Sequence, residues 1–256
     1  SWLAHGTLAS GLWTSDNGRY QAMLASGHKW LFHFAQEAGF RTATIMPAIT
    51  LGWPESSAMG FEIIHPATTI PYKGDRFNWV TVPDQFTLSV YEDLLGEDPR
   101  PDFIQIALIS SHAPWVPIPP LLPWDAQGDG TIYNEYANSG PTPRELWKDY
   151  DDVRDQYRIA IDYSLQATLG HIARLDDAPL VMIVGDHQPA GFVSQIDSRD
   201  VPIHMIGPPE VLDHIDTWNW TEGLIPAADL PTWRMDSFRN RFIDAFSGSA
   251  PSGEGS

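Results

Sequence analysis

Apolar side chains recur along this chain at two spacings, one close to the helical period and one continuous or alternating. Leu3 and Leu8 stand among small residues in a stretch that predicts a helix from Trp2 to Ser10. Gly11 ends it, and a turn follows at Ser15-Asp16-Asn17-Gly18. Leu31, Phe34, Ala35 and Ala38 keep helical spacing, with Gly39 as the stop. Arg41 to Met46 (RTATIM) reads as a strand closed by Pro47, and Phe103 to Ile109 (FIQIALI) as a second. From Tyr150 to Arg174, Val153, Tyr157, Ile161, Leu165 and Leu169 repeat every four residues and predict a long helix with one apolar stripe. Leu180 to Val184 (LVMIV) is apolar throughout, as in a buried parallel strand, and Val201 to Ile206 is a fourth strand. A last helix runs from Asp236 to about Phe246, with Phe238, Phe242 and Phe246 on one side. This order predicts an α/β layered domain with a mostly parallel central sheet.

Two segments keep no period. Residues 47–87 mix aromatics, prolines and glycines. Residues 114–148 hold seven prolines and three tryptophans. Long irregular stretches within a domain are usually lids or binding loops, and 114–148 is expected to be one. Residues 1–246 are expected to form one domain, and the low-complexity tail 247–256 to be disordered.

Charge and composition narrow the function. With 33 acidic and 15 basic side chains, the net charge of −18 argues against nucleic acid and anionic membrane surfaces as partners. The absence of cysteine excludes disulfides, thiolate metal sites and thiol nucleophiles. No apolar run approaches the ~18 residues of a membrane span, and no signal peptide opens the chain. The start at Ser1-Trp2-Leu3, without Met, reads as part of a longer protein.

In parallel sheets, ligands bind beyond the carboxyl ends of the strands. The second predicted strand is followed by Ser110-Ser111-His112-Ala113-Pro114-Trp115, the third by Gly185-Asp186-His187-Gln188-Pro189. Adjacent carboxylate and imidazole suit Zn²⁺ or Mn²⁺. The same dipeptide also fits a plain strand-end turn in which Asp186 caps backbone amides. His112 reads either as a contact for a substrate oxyanion or second metal, or as a histidine bonded to a loop carbonyl. Trp115 reads as a pocket wall or as a packed loop residue. Ser1 reads as a helix N-cap, or as a nucleophile favoured by the helix dipole and free amides.

Together these pieces resemble the alkaline phosphatase–sulfatase superfamily. Its sulfatases carry a nucleophile motif, Cys/Ser-x-Pro/Ala-x-Arg, with Thr-Gly about ten residues on. Here Ser1 takes the nucleophile position and Ser10-Gly11 the terminal pair. The order continues through AGFRTATIMP, then SSHAPW in place of a His-x-Pro element, YRIAIDYSL on the long helix, VMIVGDHQP in place of Ser/Gly-Asp-His, and RDVPIHMIGP. The flavour is that of the membrane-anchored branch, which includes lipoteichoic acid synthases and phosphoethanolamine transferases. The resemblance implies an alkaline phosphatase-like three-layer α/β/α domain whose first strand is missing. It also implies a metal-dependent hydrolase or transferase acting on phosphate esters, by phosphodiester or phosphoryl transfer. In that reading Ser1 is nucleophile and metal ligand, Asp186 and His187 are metal ligands, and His112 holds the substrate phosphate. One divalent ion is implied, Mn²⁺ or Zn²⁺, with Ca²⁺ or Mg²⁺ as alternatives. The substrate would be a small-molecule, lipid-linked or glycan-linked phosphate or sulfate ester. The location would be extracytoplasmic, with membrane anchorage only through upstream segments.

The departures carry information. Leu3 and His5 stand where the sulfatase motif has Pro/Ala and Arg, so formylglycine formation is not expected and a serine alkoxide is. His5 is a candidate replacement for the Arg, as a positive or hydrogen-bonding group. Lys29 and Arg41 are candidates, from location, for holding anionic oxygens. The family's first metal ligand, an Asp or Glu ending an upstream strand, has no counterpart here, so weak metal binding and little activity are expected of residues 1–256 alone. After His187 only His204 and His214 remain, and His204 is expected in the core, which favours one metal over two. The alternatives are a sulfuric-ester hydrolase, a non-catalytic sulfatase-like binding module, and an amidohydrolase using Ser1 with its own α-amine. The last needs stacked antiparallel sheets that this pattern does not predict.

Overall fold

In the computed structural model, which describes residues 1–248, Arg41–Met46 forms β1 and is buried along its whole length. It is the middle strand of a three-stranded parallel sheet, between β2 (Ile63–Pro66) and β3 (Asp102–Ile106). Side-chain alternation then assigns the faces. Thr42 lies beside Phe103 and Thr44 beside Ile64. That face is covered by α1 (Trp2–Ser10), α2 (Asn17–Ala25), α3 (Leu31–Glu37) and the C-terminal helix Phe238–Phe246, where Phe103 meets Phe32 at 5.8 Å and Phe242 at 6.1 Å between ring centroids. Ile45 lies beside Ile106 on the opposite face, in a core with Phe86 of α4 (Asp84–Ser89) and Ile109. The long helix Tyr150–Ile172 packs on α4. Helices therefore lie on both sides of a mostly parallel sheet.

The predicted helices and β1 sit where the apolar spacing places them. Gly11, at φ 69°, ends α1 with its amide on Thr7 O at 3.1 Å, a conformation that favours glycine. Three details differ. First, β3 stops at Ile106 rather than Ile109. The amides of Ile109 and Ser110 instead donate to the buried Asp84 carboxylate, both at 2.8 Å, so they are withdrawn from any ladder. Second, the buried line of the long helix is Val153, Ala160, Tyr163 and Ala167, not the strict four-residue series. A four-residue step overshoots the 3.6-residue turn, so Ile161 and Leu165 rotate off the helix-packing face and line a cavity instead. Third, Val181–Val184 (β4) pairs antiparallel with Ile203–Ile206 (β5), as a separate two-stranded sheet. β4 is only half-buried. Its free edge and that of β3 both line a cavity of 2360 Å³.

The segment 114–148 is not bare loop. It folds into short turns at Trp124–Ala126, Thr131–Tyr133, Asn134–Ala137 and Pro143–Leu146, with Tyr133 fully buried. Among the described residues no helix is long and apolar enough to cross a membrane. Of the expected disordered tail, residues 249–256 lie outside the described ones.

Asp84 has a consequence for stability. Burial pushes its carboxyl above the usual carboxylate range, against the opposing hydrogen bonds from Ser164, Ser110 and Ile109. A raised folded pKa means the folded state holds the proton longer. The contribution is therefore complete below the unfolded value of about 3.9 and lost as pH rises through the folded value. Asp84→Asn keeps the acceptor and removes the charge. Thermal melting across pH 4–8 is expected to show the variant gaining on the parent as pH rises, with the difference vanishing toward pH 4.

Candidate functional site

At the carboxyl end of β4 the chain turns through Gly185, where a Cβ would come within 3.3 Å of Val201 Cβ, into Asp186 and His187. The N-terminus of α1 lies against this turn. Ser1 occupies the N-cap position but makes no side-chain capping bond; the helix amides of Ala4 and His5 use its carbonyl instead. The Ser1 hydroxyl faces the turn, with Oγ 3.4 Å from His187 Nε2. His187 Nε2 is 3.3 Å from Asp186 Oδ2, and its Nδ1 is 2.9 Å from Gln188 O. A carbonyl only accepts, so Nδ1 carries the proton and Nε2 presents a lone pair.

The electrostatics follow from this crowding. Burial pushes the Asp186 carboxyl up, but the hydrogen bond from Ser1, with the neighbouring His187 and His5 imidazoles, holds it below the usual range. His5, one turn into α1, shares this environment. Burial pushes its imidazole below the usual value despite the opposing pull of Asp186. That direction favours the hydrogen-bonding role of His5 over the positive one.

Among the described residues, no three His, Cys, Asp or Glu side chains converge. The third donor beside Asp186 and His187 is the Ser1 hydroxyl oxygen. A carboxylate oxygen and an unprotonated Nε2 at 3.3 Å repel unless a proton or cation lies between them, and this donor set fits a divalent cation.

The other candidates divide. His112 leaves the carboxyl side of β3 exposed, with Nδ1 2.6 Å from Ala113 O, so the loop-carbonyl contact is made and Nε2 remains for a ligand. Trp115 is a packed residue. It is 5% exposed, donates Nε1–H to Ser111 O at 2.8 Å and stacks on Trp147 at 5.7 Å. The exposed aromatic beside His112 is Trp79, 6.3 Å away between rings and 67% exposed. Only a lone tryptophan in an irregular segment marked it. Tyr157, edge-on to Trp115 at 5.2 Å and within the field of Asp186, is a second aromatic the sequence reading left in a stripe. Arg41 is corrected outright. It starts β1, at the amino end of the sheet, and is buried in an ion pair with Asp102, away from strand ends that carry the histidines. Lys29 pairs on the surface with Glu37. His204 lies half-buried on β5, its Nε2 2.8 Å from Leu224 O, rather than in the core.

The sulfatase family model matches residues 9–204, a span that includes His112, Asp186 and His187 and leaves Ser1 and His5 just outside. Two solved structures share the fold. One is the lipoteichoic acid synthase LtaP from Listeria monocytogenes, with a TM-score of 0.52 and 16% identity over 81% of this chain and 53% of that one. The other is a protein of the alkaline phosphatase superfamily from Vibrio parahaemolyticus, with a TM-score of 0.52 and 16% identity over 80% of this chain and 48% of that one. The chain thus spans about half the length of either structure. No curated protein matches it.

Proposed function

Because the chain belongs to the sulfatase family, we propose that it is a metal-dependent phosphoesterase or phosphotransferase working through Ser1. The observation that carries this reading is the convergence of Ser1 Oγ, Asp186 and His187 Nε2, with the serine hydroxyl free of capping duty. Ser1 Oγ attacks phosphorus as its proton leaves toward the neighbouring acceptors. The bond from phosphorus to the leaving-group oxygen breaks, and that oxygen takes up a proton. Water or an acceptor alcohol then displaces Ser1 from the phosphoserine. Asp186, His187 and Ser1 are the residues that would hold the divalent cation, Mn²⁺ or Zn²⁺. Such an ion lowers the hydroxyl pKa and neutralises charge on the phosphoryl oxygens. His112, in its protonated form, donates Nε2–H to a phosphate oxygen, with Trp79 beside it.

The likeness to a lipoteichoic acid synthase supports a phosphodiester, lipid- or glycan-linked, as the substrate and an extracytoplasmic setting. Leu3 and His5 in the motif weigh against formylglycine and hence against sulfate esters.

The test, on the chain with whatever native sequence precedes Ser1 retained, is a titration of Mn²⁺ and Zn²⁺ while p-nitrophenol release is followed from matched phosphate monoester, phosphodiester and sulfate ester. Metal-dependent phosphoester turnover is expected. Asp186→Asn and His187→Ala are each expected to weaken metal binding by at least ~100-fold, because loss of mere outer partners already costs about 10–100-fold. Preferential sulfate-ester turnover would move the reading to a sulfatase. A folded protein with neither turnover nor bound metal would move it to a binding module.

A further inference from the structure

A fully buried carboxylate without a cationic partner is costly, and such groups persist where they fix something. Asp84 is 0% exposed and none of its hydrogen-bond partners is a lysine or arginine. Its Oδ1 accepts from the amides of Ile109 and Ser110, both at 2.8 Å, and its Oδ2 accepts from Ser164 Oγ of the long helix at 2.7 Å. Its own amide donates to Ser110 Oγ at 2.9 Å. One side chain therefore ties together the start of α4, the exit of β3 and the long helix, two residues before His112.

The next residue, Gln85, is also buried. It exchanges two hydrogen bonds with the backbone of Leu122, Nε2 to its carbonyl at 2.7 Å and Oε1 from its amide at 2.9 Å. Its Oε1 also accepts from Tyr133 Oη at 3.3 Å. The loop from Ser110 to Leu122, which carries His112 and Trp115, is thus held at both ends by consecutive side chains of one short helix. Within the loop, Asn78 Nδ2 donates to Val116 O at 2.9 Å and the Trp115 indole to Ser111 O.

We propose that Asp84 and Gln85 are positioning residues that hold the His112 loop as a fixed wall of the site rather than as a moving lid. The kinetic part of this proposal rests on the phosphoester reading above; the structural part does not. A fixed loop pays the entropy of placing His112 during folding, so each substrate meets the imidazole already in place.

The experiment compares Asp84→Ala, Asp84→Asn and Gln85→Ala in the full chain. The readouts are hydrogen–deuterium exchange and metal-dependent turnover of the best p-nitrophenyl ester. In Asp84→Ala, exchange of peptides spanning 107–118 is expected to accelerate at least ~10-fold while β1 keeps its protection. KM is expected to rise roughly 10–100-fold with kcat little changed. Asp84→Asn keeps Oδ1 for both amides and turns its amide to Ser164, and is expected to restore both readouts. Gln85→Ala is expected to loosen peptides around Leu122. If Asp84→Ala does not fold, Ser164→Ala, which removes only the Oδ2 partner, is expected to loosen 107–118 more mildly. Unchanged exchange of 107–118 in folded Asp84→Ala, or in Ser164→Ala where that variant replaces it, overturns the proposal, as does Asp84→Asn behaving like Asp84→Ala. A parent protein without phosphoester turnover would refute the function, while the exchange results would still decide the positioning role.

Discussion

Ser1→Ala is expected to abolish metal-dependent phosphoester turnover, with a loss in kcat of roughly 10⁴–10⁶-fold, the range for deleting a catalytic triad residue, nucleophile included. Asp186 and His187 present acceptors directed at one another and at Ser1, and in the proposed reaction the hydroxyl supplies the bond to phosphorus. Stability should hardly change. Ser1 is exposed and makes no capping bond, and such surface substitutions stay within about 0.5 kcal/mol. Turnover and thermal melting measured side by side separate the two effects. A variant that still turns over at the parent's rate would remove Ser1 from the chemistry.

Arg41→Met is expected to do the opposite, costing stability while leaving turnover per folded molecule intact. The guanidinium is 5% exposed. It grips Asp102 with Nε at 2.5 Å and Nη2 at 2.9 Å, and donates to the carbonyls of Leu95 and Gly96, each at 3.0 Å. Removing one partner of a buried pair costs about 3–5 kcal/mol. Because Asp102 remains partly exposed and can rehydrate, the lower end is expected. For a chain of this size that corresponds to a fall in Tm of roughly 10 °C. Lys29→Ala, which breaks the exposed pair with Glu37, should shift Tm by no more than a degree or two. Equal Tm changes for the two variants would mean that the Arg41 pair contributes no more than a surface one.

Much of the fold can be read directly from the residues. RTATIM spans β1 residue for residue, α1 and the long helix lie where the sequence predicts them, and Phe238, Phe242 and Phe246 share one face of the last helix. The misreadings have physical causes. β2 is four residues long and ends in Pro66, too short to show alternation in an aromatic-rich stretch. An apolar run such as Val181–Val184 reports burial but not direction, so the antiparallel pairing with β5 has no local signature. The sequence overextends β3 because the competitor for its last amides, Asp84, lies 25 residues upstream of Ile109. Of the site, Asp186-His187 was visible as chemistry at a strand end. Its meeting with Ser1, 186 residues away in sequence, was legible only through the family resemblance. Trp79 and the Asp84-Gln85 pair have no signature of their role, since an exposed tryptophan reads like a buried one, and a buried carboxylate like an exposed one, until the chain is folded.

The divided sheet also bears on the route by which this chain folds. Among the described residues, β3 and β4 each keep one edge without a strand partner. Natural proteins usually disarm such edges with inward charges, bulges or prolines. In β3 the one charge, Asp102, is engaged by Arg41, and Phe103, Ile104, Ile106 and Val181–Val184 carry neither charge nor proline. The face of β3 that carries Phe103 is covered by helices, and one of those, Phe238–Phe246, follows β3 by more than 130 residues in the chain. During translation β1, β2 and β3 emerge well before that cover exists, at a pace of about 5–20 residues per second. For that interval a nascent chain offers an uncovered apolar surface, so slower translation is expected to raise the soluble yield without changing the Tm of the purified protein.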